Sequence, residues 1–270
     1  MKIQKITTLI LSTLVLTLVG CVQFKQPPLC DAEITPIATI QGSAAQSPLL
    51  DQNVTTRGVV TAVWQESEQL QGFFIRSTAK DDDLNQATSE GLFIDVGDTP
   101  QLVTVGDLVY VSGTVAETNQ LTQLTQVQQV VVCKQQQEFA YQPVQLPFSS
   151  TAAFEALEAM PIRFEQNLVV NGHYRLARHG QFTVAHERLY TPTQHVKPGE
   201  AARLQALQNE LAQLIIDDNV TTAGATAMAA QLGLTADQPL RSGDQLAPVQ
   251  GILNQHHAQY QLQPTSAISV

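Results

Sequence analysis

The sequence has few charged side chains, few aromatic rings and fewer bases than acids. Only 14% of its 270 residues are charged and 6% are aromatic, whereas 43% are hydrophobic. So little charge beside so much hydrophobic content excludes a disordered chain and predicts a folded one. The formal charge of −10 opposes long-range, nonspecific attraction to nucleic acid. A polyanionic partner would therefore have to meet a local basic patch.

Motifs of the common catalytic sites are also lacking. The sequence has no H-x-E with a paired C-x-x-C, no G-x-S-x-G, no Walker loop and no H-E-x-x-H. We therefore expect no catalytic activity and no cofactor.

Residues 54–133 contain no helical pattern longer than a turn or two, which excludes the parallel αβ architectures that need crossover helices.

The first twenty residues are predicted to be an export signal. Lys2 and Lys5 precede the apolar run TTLILSTLVLTLVG, which is too short for a permanent membrane span. The segment LVGC resembles the lipobox of bacterial lipoproteins, which implies cleavage before Cys21 and anchoring in the membrane through lipid on its thiol. Val22 at the next position implies the outer membrane. An ordinary signal peptide is the alternative. Removal of the signal, with its two lysines and no acids, would bring the formal charge of the chain to −12.

Two further cysteines predict a disulfide. If Cys21 carries lipid, Cys30 and Cys133 form an even pair in an oxidising compartment. Their bridge would close a loop of about one hundred residues and stabilise the fold by about 4 kcal/mol on the chain-entropy model. Metal binding by the two thiols is the alternative, although neither belongs to a C-x-x-C pair.

Strand patterns dominate the chain from residue 54. Five segments rich in Val, Thr, Ile and Phe, separated by turn formers, predict one small β-barrel. They are VTTRGVVTAVWQ, GFFIRST, GLFIDVG, GDLVYVSGTVAET and LTQLTQVQQVVVC. The prolines of PVQLPFSS at 143–150 then mark a boundary.

The second half mixes strands with short helices. STAAFEALEAM predicts a helical turn, IRFEQNLVV a strand, and HYRLARHG with QFTVAHERLY a hairpin turning at Gly180. PGEAARLQALQNELAQL is the best helix candidate, and its end merges with a possible strand, LIIDD. Its leucines recur every three or four residues, at Leu204, Leu207, Leu211 and Leu214.

A weak internal repeat links the two halves. VGDLVYVSGTV at 105–115 resembles SGDQLAPVQGIL at 242–253, and each precedes a Gln-rich strand. The glycine spacing differs by one residue, so superposition would need a bulge. Chance similarity of Gly-Asp turns is the competing interpretation.

Ten segments in order along residues 33–270 resemble the non-catalytic N-terminal region of bacterial extracellular nucleases. They are IATIQGSAAQSPLLDQNVTTRGVVTAVW, GFFIRST, ATSEGLFIDVG, VGDLVYVSGTVAET, LTQL, YRLARHGQFTVA, RLYTPTQ, IIDD, RSGDQLAPVQGIL and YQLQPT. That region carries an oligonucleotide/oligosaccharide-binding (OB) fold ahead of an endonuclease/exonuclease/phosphatase-type catalytic domain. The sequence stops at SAISV, so the resemblance does not extend to catalysis.

The expected fold class is therefore mainly β, with two OB-fold-like small barrels and one or two short helices in the second. The expected organisation is a signal peptide (1–20), a lipid anchor and tether (21–32), an OB-fold-like barrel (33–142) and a second OB-like module with helical insertions (143–270). OB barrels bind ligands on the face of strands 2 and 3, where aromatic rings stack on bases and cations hold phosphates.

Most candidate nucleic-acid-binding residues lie between residues 161 and 200. This segment contains five basic and three acidic residues, and its tyrosines alternate with histidines along the sequence. In the first barrel, alternation along GFFIRST leaves two more side chains for the groove. The full set is Arg163, His173, Tyr174, Arg175, Arg178, His179, Arg188, Phe74 and Arg76. Ordinary surface cations, and burial of Phe74 under the second module, are the competing interpretations.

The segment KDDDLN raises the question of a metal. Asp81, Asp83 and Glu90 could in principle hold calcium, but the spacing lacks the glycine and closing glutamate of an EF-hand. We therefore expect a solvated hairpin tip and no metal.

Together these features lead to the hypothesis of a non-catalytic outer-membrane lipoprotein that binds nucleic acid, either single-stranded or extracellular DNA. One alternative is a structural lipoprotein that contacts another envelope protein. Another is the binding half of a split nuclease whose catalytic partner is a separate chain.

Overall fold

The computed structural model describes residues 28–222, 224, 226–256 and 259–270. The signal peptide (1–20) and Cys21 lie outside the described residues, so export and lipid attachment stay predictions. Within the described ranges, no helix is both long enough and apolar enough to cross a membrane.

The first module is a closed five-stranded barrel with strand order β1-β2-β3-β5-β4. Its strands are β1 (Asn53–Trp64), β2 (Gly72–Arg76), β3 (Gly91–Asp95), β4 (Leu108–Thr118) and β5 (Leu121–Lys134). A short helix, α1 (Ile37–Gln41), precedes them and contributes to the core. β3 and β5 run parallel, and the other neighbours are antiparallel. The five predicted strands and their barrel are confirmed.

The second module is a mixed sheet of eight strands in the order β11-β8-β9-β10-β13-β12-β7-β6. Its strands are β6 (Gln142–Val144), β7 (Pro161–Phe164), β8 (Leu168–Gly172), β9 (Phe182–Ala185), β10 (Gln213–Ile216), β11 (Gln245–Leu246), β12 (Gln250–His256) and β13 (Gln259–Pro264). Its helices are α2 (Thr151–Glu155), α3 (Leu176–His179), α4 (Glu200–Leu211) and α5 (Thr226–Gln231). The fold class, mainly β with barrel-like modules and few short helices, is confirmed.

The two modules repeat one pairing scheme. β1 carries an irregularity just after Val60, and β8 carries one just after Val170. The Gly106 N–H donates to the Val60 carbonyl at 2.9 Å, and the Gly243 N–H donates to the Val170 carbonyl at 2.8 Å. In each module the backbone carbonyl of the next residue, Asp107 or Asp244, accepts a hydrogen bond from the N–H of the same valine. The Gly-Asp similarity seen in the sequence therefore marks equivalent turns of two modules.

The one-residue difference in glycine spacing is absorbed in the second module. There the chain leaves β11 at Leu246, crosses residues 247–249 and re-enters the sheet as β12, whereas β4 is continuous. The predicted single strand IRFEQNLVV is likewise divided into β7 and β8. Each half then pairs with a different neighbour, β12 or β9.

The predicted hairpin at Gly180 needs correction. β8 and β9 do pair, but HYRLARHG is the connection between them and forms α3 rather than a strand. Gly180 ends α3 with φ 62°, a left-handed conformation that glycine adopts easily. The helix α4 and the strand β10 occupy the predicted segment 198–216, although Leu204 and Leu207 are exposed.

The disulfide prediction is confirmed. Cys30 bonds to Cys133 at the end of β5, with 5.7 Å between their Cα atoms and 103 residues between them in sequence. The bridge fastens the start of the described chain to the first barrel.

The two modules pack through the outer face of the first barrel. Phe74 and Phe93 point away from the barrel core and form a buried cluster with Ala159 and Ile252 of the second module. Strand alternation explains the arrangement, since Phe73 and Ile75 fill the barrel interior and leave Phe74 on the outside. Phe74 is fully buried there, which is the second of the two placements considered from the sequence.

Candidate functional site

The candidate site is the outer face of β9 and β10 in the second module. In the shared pairing scheme, β9 and β10 take the places of β2 and β3, because Thr183 lies opposite Ile215 as Phe74 lies opposite Phe93. The outward residues of the first module are Ala62, Phe74 and Phe93, and their counterparts in the second are Gly172, Thr183 and Ile215. We call the second set the β9–β10 face.

The equivalent faces of the two modules differ in burial. The first is sealed by the second module and lies in a buried cluster. The β9–β10 face lines an open cavity of about 260 Å³, together with Tyr174, Arg175, Gln181 and Phe182. A neighbouring cavity of about 390 Å³ lies between Thr183 and the side of α4. Among the described residues, the face that the first module uses for internal packing is thus open in the second.

The loop from β8 through α3 brings most of the predicted binding residues to the edge of this face. The Tyr174 side chain is 98% exposed. Four other exposed side chains surround it in sequence: His173, Arg175, Arg178 and His179. Arg175 is held at the cavity rim, where its Nη1 donates to Gln259 Oε1 of β13 at 3.2 Å.

Three exposed arginines of this region form no ion pair with a carboxylate in the part of the chain that the structure describes: Arg175, Arg178 and Arg188. Arg188 is exposed on the segment after β9. That segment is tied back to β8, since Asn171 donates to the Glu187 carbonyl at 2.9 Å and accepts from the Leu189 N–H at 2.7 Å.

Buried acids underlie the loop at the end of β10. Burial raises the pKa of Asp217, against hydrogen bonds from Gln181 and Asn219 and the positive charges of His256 and Arg175. Burial also raises the pKa of Asp218 to about 6, where the Val220 N–H and the Met228 N–H favour its ionised form and Asp217 opposes it.

Gly180 fixes α3 against these acids. A Cβ at this position would collide with the Asp218 carboxylate, and the left-handed backbone already disfavours other residues. The sequence alone suggested only a turn at this glycine.

The other predicted residues lie elsewhere. Arg163 is exposed on β7, which three strands separate from β9 in the sheet. Phe74 has no exposed surface, so it cannot stack on a ligand in this structure. Arg76 is committed within the protein, since it donates to the Ala140 carbonyl and lies 3.8 Å from Asp82. These three residues do not join the β9–β10 face.

Sequence reasoning missed the floor of the site. Gly172, Thr183 and Ile215 are small or ordinary side chains with no signal of their own. They could have been found by extending the Gly-Asp repeat backwards and aligning GFFIR with QFTVA, which places Thr183 at the position equivalent to Phe74.

No family model, curated protein or solved structure matches the chain.

Proposed function

We propose that the chain is a non-catalytic envelope lipoprotein that binds nucleic acid, either single-stranded or extracellular DNA, on the β9–β10 face. The observation that carries the proposal is the open counterpart of a face that is sealed in the first module. Its floor is formed by Thr183 and Ile215, and its edge carries an exposed tyrosine and arginines that form no close ion pair among the described residues.

The strand order supports the nucleic-acid assignment. Five-stranded barrels of the OB type bind their ligands on strands 2 and 3 and in the adjacent loops. β9 and β10 hold those places, and the loop with α3 connects the strands corresponding to β1 and β2. The resemblance of the sequence to the accessory region of secreted nucleases favours the same ligand class.

The side chains suit a flexible single strand. An exposed tyrosine ring can stack on any base, which contributes about 1–3 kcal/mol per base in such sites. Arg175 and Arg178 lie three residues apart and can meet neighbouring phosphates. The overall charge of −10 opposes binding at a distance, so the proposal predicts moderate affinity with a clear dependence on salt.

A fluorescence titration with a labelled single-stranded oligonucleotide at low salt tests the proposal. Tyr174→Ala should weaken binding by about tenfold or more. The double variant Arg175→Ala, Arg178→Ala should reduce the slope of log affinity against log salt by about 1.4, or about 0.7 for each lost phosphate contact.

Arg163→Ala is the matched control, because it removes an exposed arginine of the same module on a distant strand. Its affinity should stay within about twofold of the unmodified chain. Absence of binding at low salt, or equal losses in all three variants, would contradict the assignment to this face.

A second candidate is a protein partner on the same face. The specific observation in its favour is that the equivalent face of the first module binds protein, in the form of Ala159 and Ile252. This alternative predicts that oligonucleotides do not bind. It further predicts that an envelope protein retained by the purified chain is lost when Thr183 is replaced by Arg, which places a bulky charge on the floor of the face.

A further inference from the structure

Another cavity lies away from the β9–β10 face. It has a volume of about 600 Å³ and lies between the β2–β3 loop of the first module and the region of α2 in the second. Its polar wall includes Arg76, Asp82 and Glu90, and its apolar wall includes Leu157 and Met160.

Three carboxylates converge at the polar wall. One oxygen each from Asp82, Asp83 and Glu90 lie within 4.8 Å of one another. Asp81, which the sequence grouped with Asp83 and Glu90, is excluded because it forms a two-pronged ion pair with Arg57 at 2.5 and 2.8 Å. The candidate set therefore contains Asp82 in place of Asp81.

Glu90 supplies an independent indication of a ligand. Only 5% of this residue is exposed, and its Oε2 has no hydrogen-bond partner. Its Oε1 accepts from the Asp83 N–H at 3.0 Å, which holds the carboxylate against the loop that carries the other two acids. A buried oxygen left without a partner is costly unless something binds it.

The charge balance indicates the kind of ligand. Among the described residues, the one ion pair that these three carboxylates form joins Asp82 to Arg76, at 3.8 Å. Three negative groups and one positive group leave a formal charge of −2 at the cluster. A divalent cation would balance that charge, whereas a monovalent one would not.

We propose that Asp82, Asp83 and Glu90 bind a calcium ion at the edge of this cavity. Calcium takes six to eight oxygen ligands in flexible geometry, so three carboxylates and waters held in the cavity can complete its shell. Magnesium demands stricter octahedral geometry and suits this irregular loop less well. The proposal differs from the sequence-based expectation of a metal-free hairpin tip.

Calcium would relieve an unfavourable feature of this loop, the crowding of three carboxylates whose oxygens lie within 4.8 Å of one another. A bound cation would stabilise all three ionised carboxylates and give Glu90 Oε2 a partner. The cation would also order the polar loop over the end of the barrel.

Thermal unfolding of the whole chain, stripped with EDTA and then titrated with calcium chloride, tests the proposal. Calcium at about one hundred times its Kd should raise the Tm by about 5–10 °C. Calorimetry should give one calcium ion per chain. The titration should extend to about 10 mM, which is one hundred times a Kd of about 0.1 mM, a value found among extracellular calcium modules.

Three variants decide whether the cluster is responsible. Asp83→Asn and Glu90→Gln should each lose most of the calcium-dependent shift, whereas the exposed Asp237→Asn should keep it. Glu90→Gln also separates calcium binding from simple protonation of a buried glutamate. If Glu90→Gln is more stable in EDTA and the unmodified chain ignores calcium, Glu90 is merely a neutral buried acid and the proposal is overturned.

Two further results would overturn it. A calcium shift of equal size in Glu90→Gln would place the ion elsewhere. A response to magnesium but not to calcium would refute the assignment of the metal.

Discussion

Replacing Glu158 by glutamine should remove a large part of the pH dependence of the protein's stability. Glu158 belongs to the second module and is fully buried against the first. Its Oε1 accepts from the Thr122 N–H of β5 at 3.0 Å, and its carbonyl accepts from the Ser89 hydroxyl at 2.5 Å. The next residue, Ala159, bonds to the Leu253 carbonyl at 2.7 Å and leaves no room for a side chain at Gly91.

Burial raises the pKa of Glu158 from 4.5 to about 9, and repulsion from Glu155 and Glu117 adds to the effect. The Thr122 N–H and the Gln41 side chain oppose the rise. Because the folded protein holds this proton more tightly than the unfolded chain does, its stabilising contribution is complete below about pH 4.5 and declines up to about pH 9. The slope is about 1.4 kcal/mol per pH unit.

Urea unfolding at a series of pH values measures this effect directly. Between about pH 5 and about pH 8, the free energy of unfolding of the unmodified chain should fall by about 4 kcal/mol relative to Glu158→Gln. Buried acids that do not interact with Glu158, such as Asp217, titrate in both proteins and cancel in the difference. Glutamine keeps the acceptor for Thr122 and mimics the neutral acid.

The exposed Glu138→Gln serves as the control and should follow the unmodified chain at every pH. Parallel stability curves for the unmodified chain and Glu158→Gln would refute the reasoning. They would mean that Glu158 is solvated or ionised at the contact between the modules.

Two further predictions concern the loop and the bridge. Gly180→Ala should destabilise the chain by about 2 kcal/mol in urea unfolding and weaken oligonucleotide binding, because the new Cβ would collide with Asp218 and displace α3. Gly233→Ala has the same φ of 62° but open space around it, so it should cost only about 1 kcal/mol and leave binding unchanged; equal costs would contradict the collision. Replacing Cys30 and Cys133 by alanine should lower the free energy of unfolding by about 4–5 kcal/mol, as expected for a loop of 103 residues. A loss below about 1 kcal/mol would show that the bridge does not constrain the unfolded chain.

Local patterns predicted the first module well. Its strands alternate cleanly, so that Phe73 and Ile75 fill the barrel and the turn formers between strands mark the boundaries. The second module was harder to predict because its pairing is interrupted. The chain leaves the sheet between β7 and β8 and again between β11 and β12, and periodicity does not report such breaks.

The basic loop shows where composition succeeds and fails. Arginine, histidine and tyrosine in HYRLARHG indicated a surface segment, and the structure exposes them. The alternation of side chains nevertheless predicted a strand for residues that form α3. In the structure, the Gly180 N–H donates to the Leu176 carbonyl and closes a single helical turn. Short helices of this kind depend on their cap and their neighbours rather than on an amphipathic pattern.

Contacts between residues far apart in the chain could not be predicted from the sequence. Phe74 and Thr183 occupy equivalent positions, yet Phe74 is buried under the second module, whereas Thr183 lines an open cavity among the described residues. The choice of Asp82 over Asp81 for the acidic cluster likewise depends on Arg57, which reaches across from β1 to take Asp81. Neither outcome is encoded in residue spacing.

We predict that the open β9–β10 face, and not its sealed counterpart in the first module, binds single-stranded nucleic acid. Ultraviolet crosslinking of the whole chain to a thymine-rich oligonucleotide, followed by mass spectrometry of the peptides, tests it most directly. Crosslinks should fall within residues 172–183, with Tyr174 first among them, and should disappear in Tyr174→Ala. Crosslinks confined to the first module or to the strand that carries Arg163, with Tyr174 unmodified, would contradict the account.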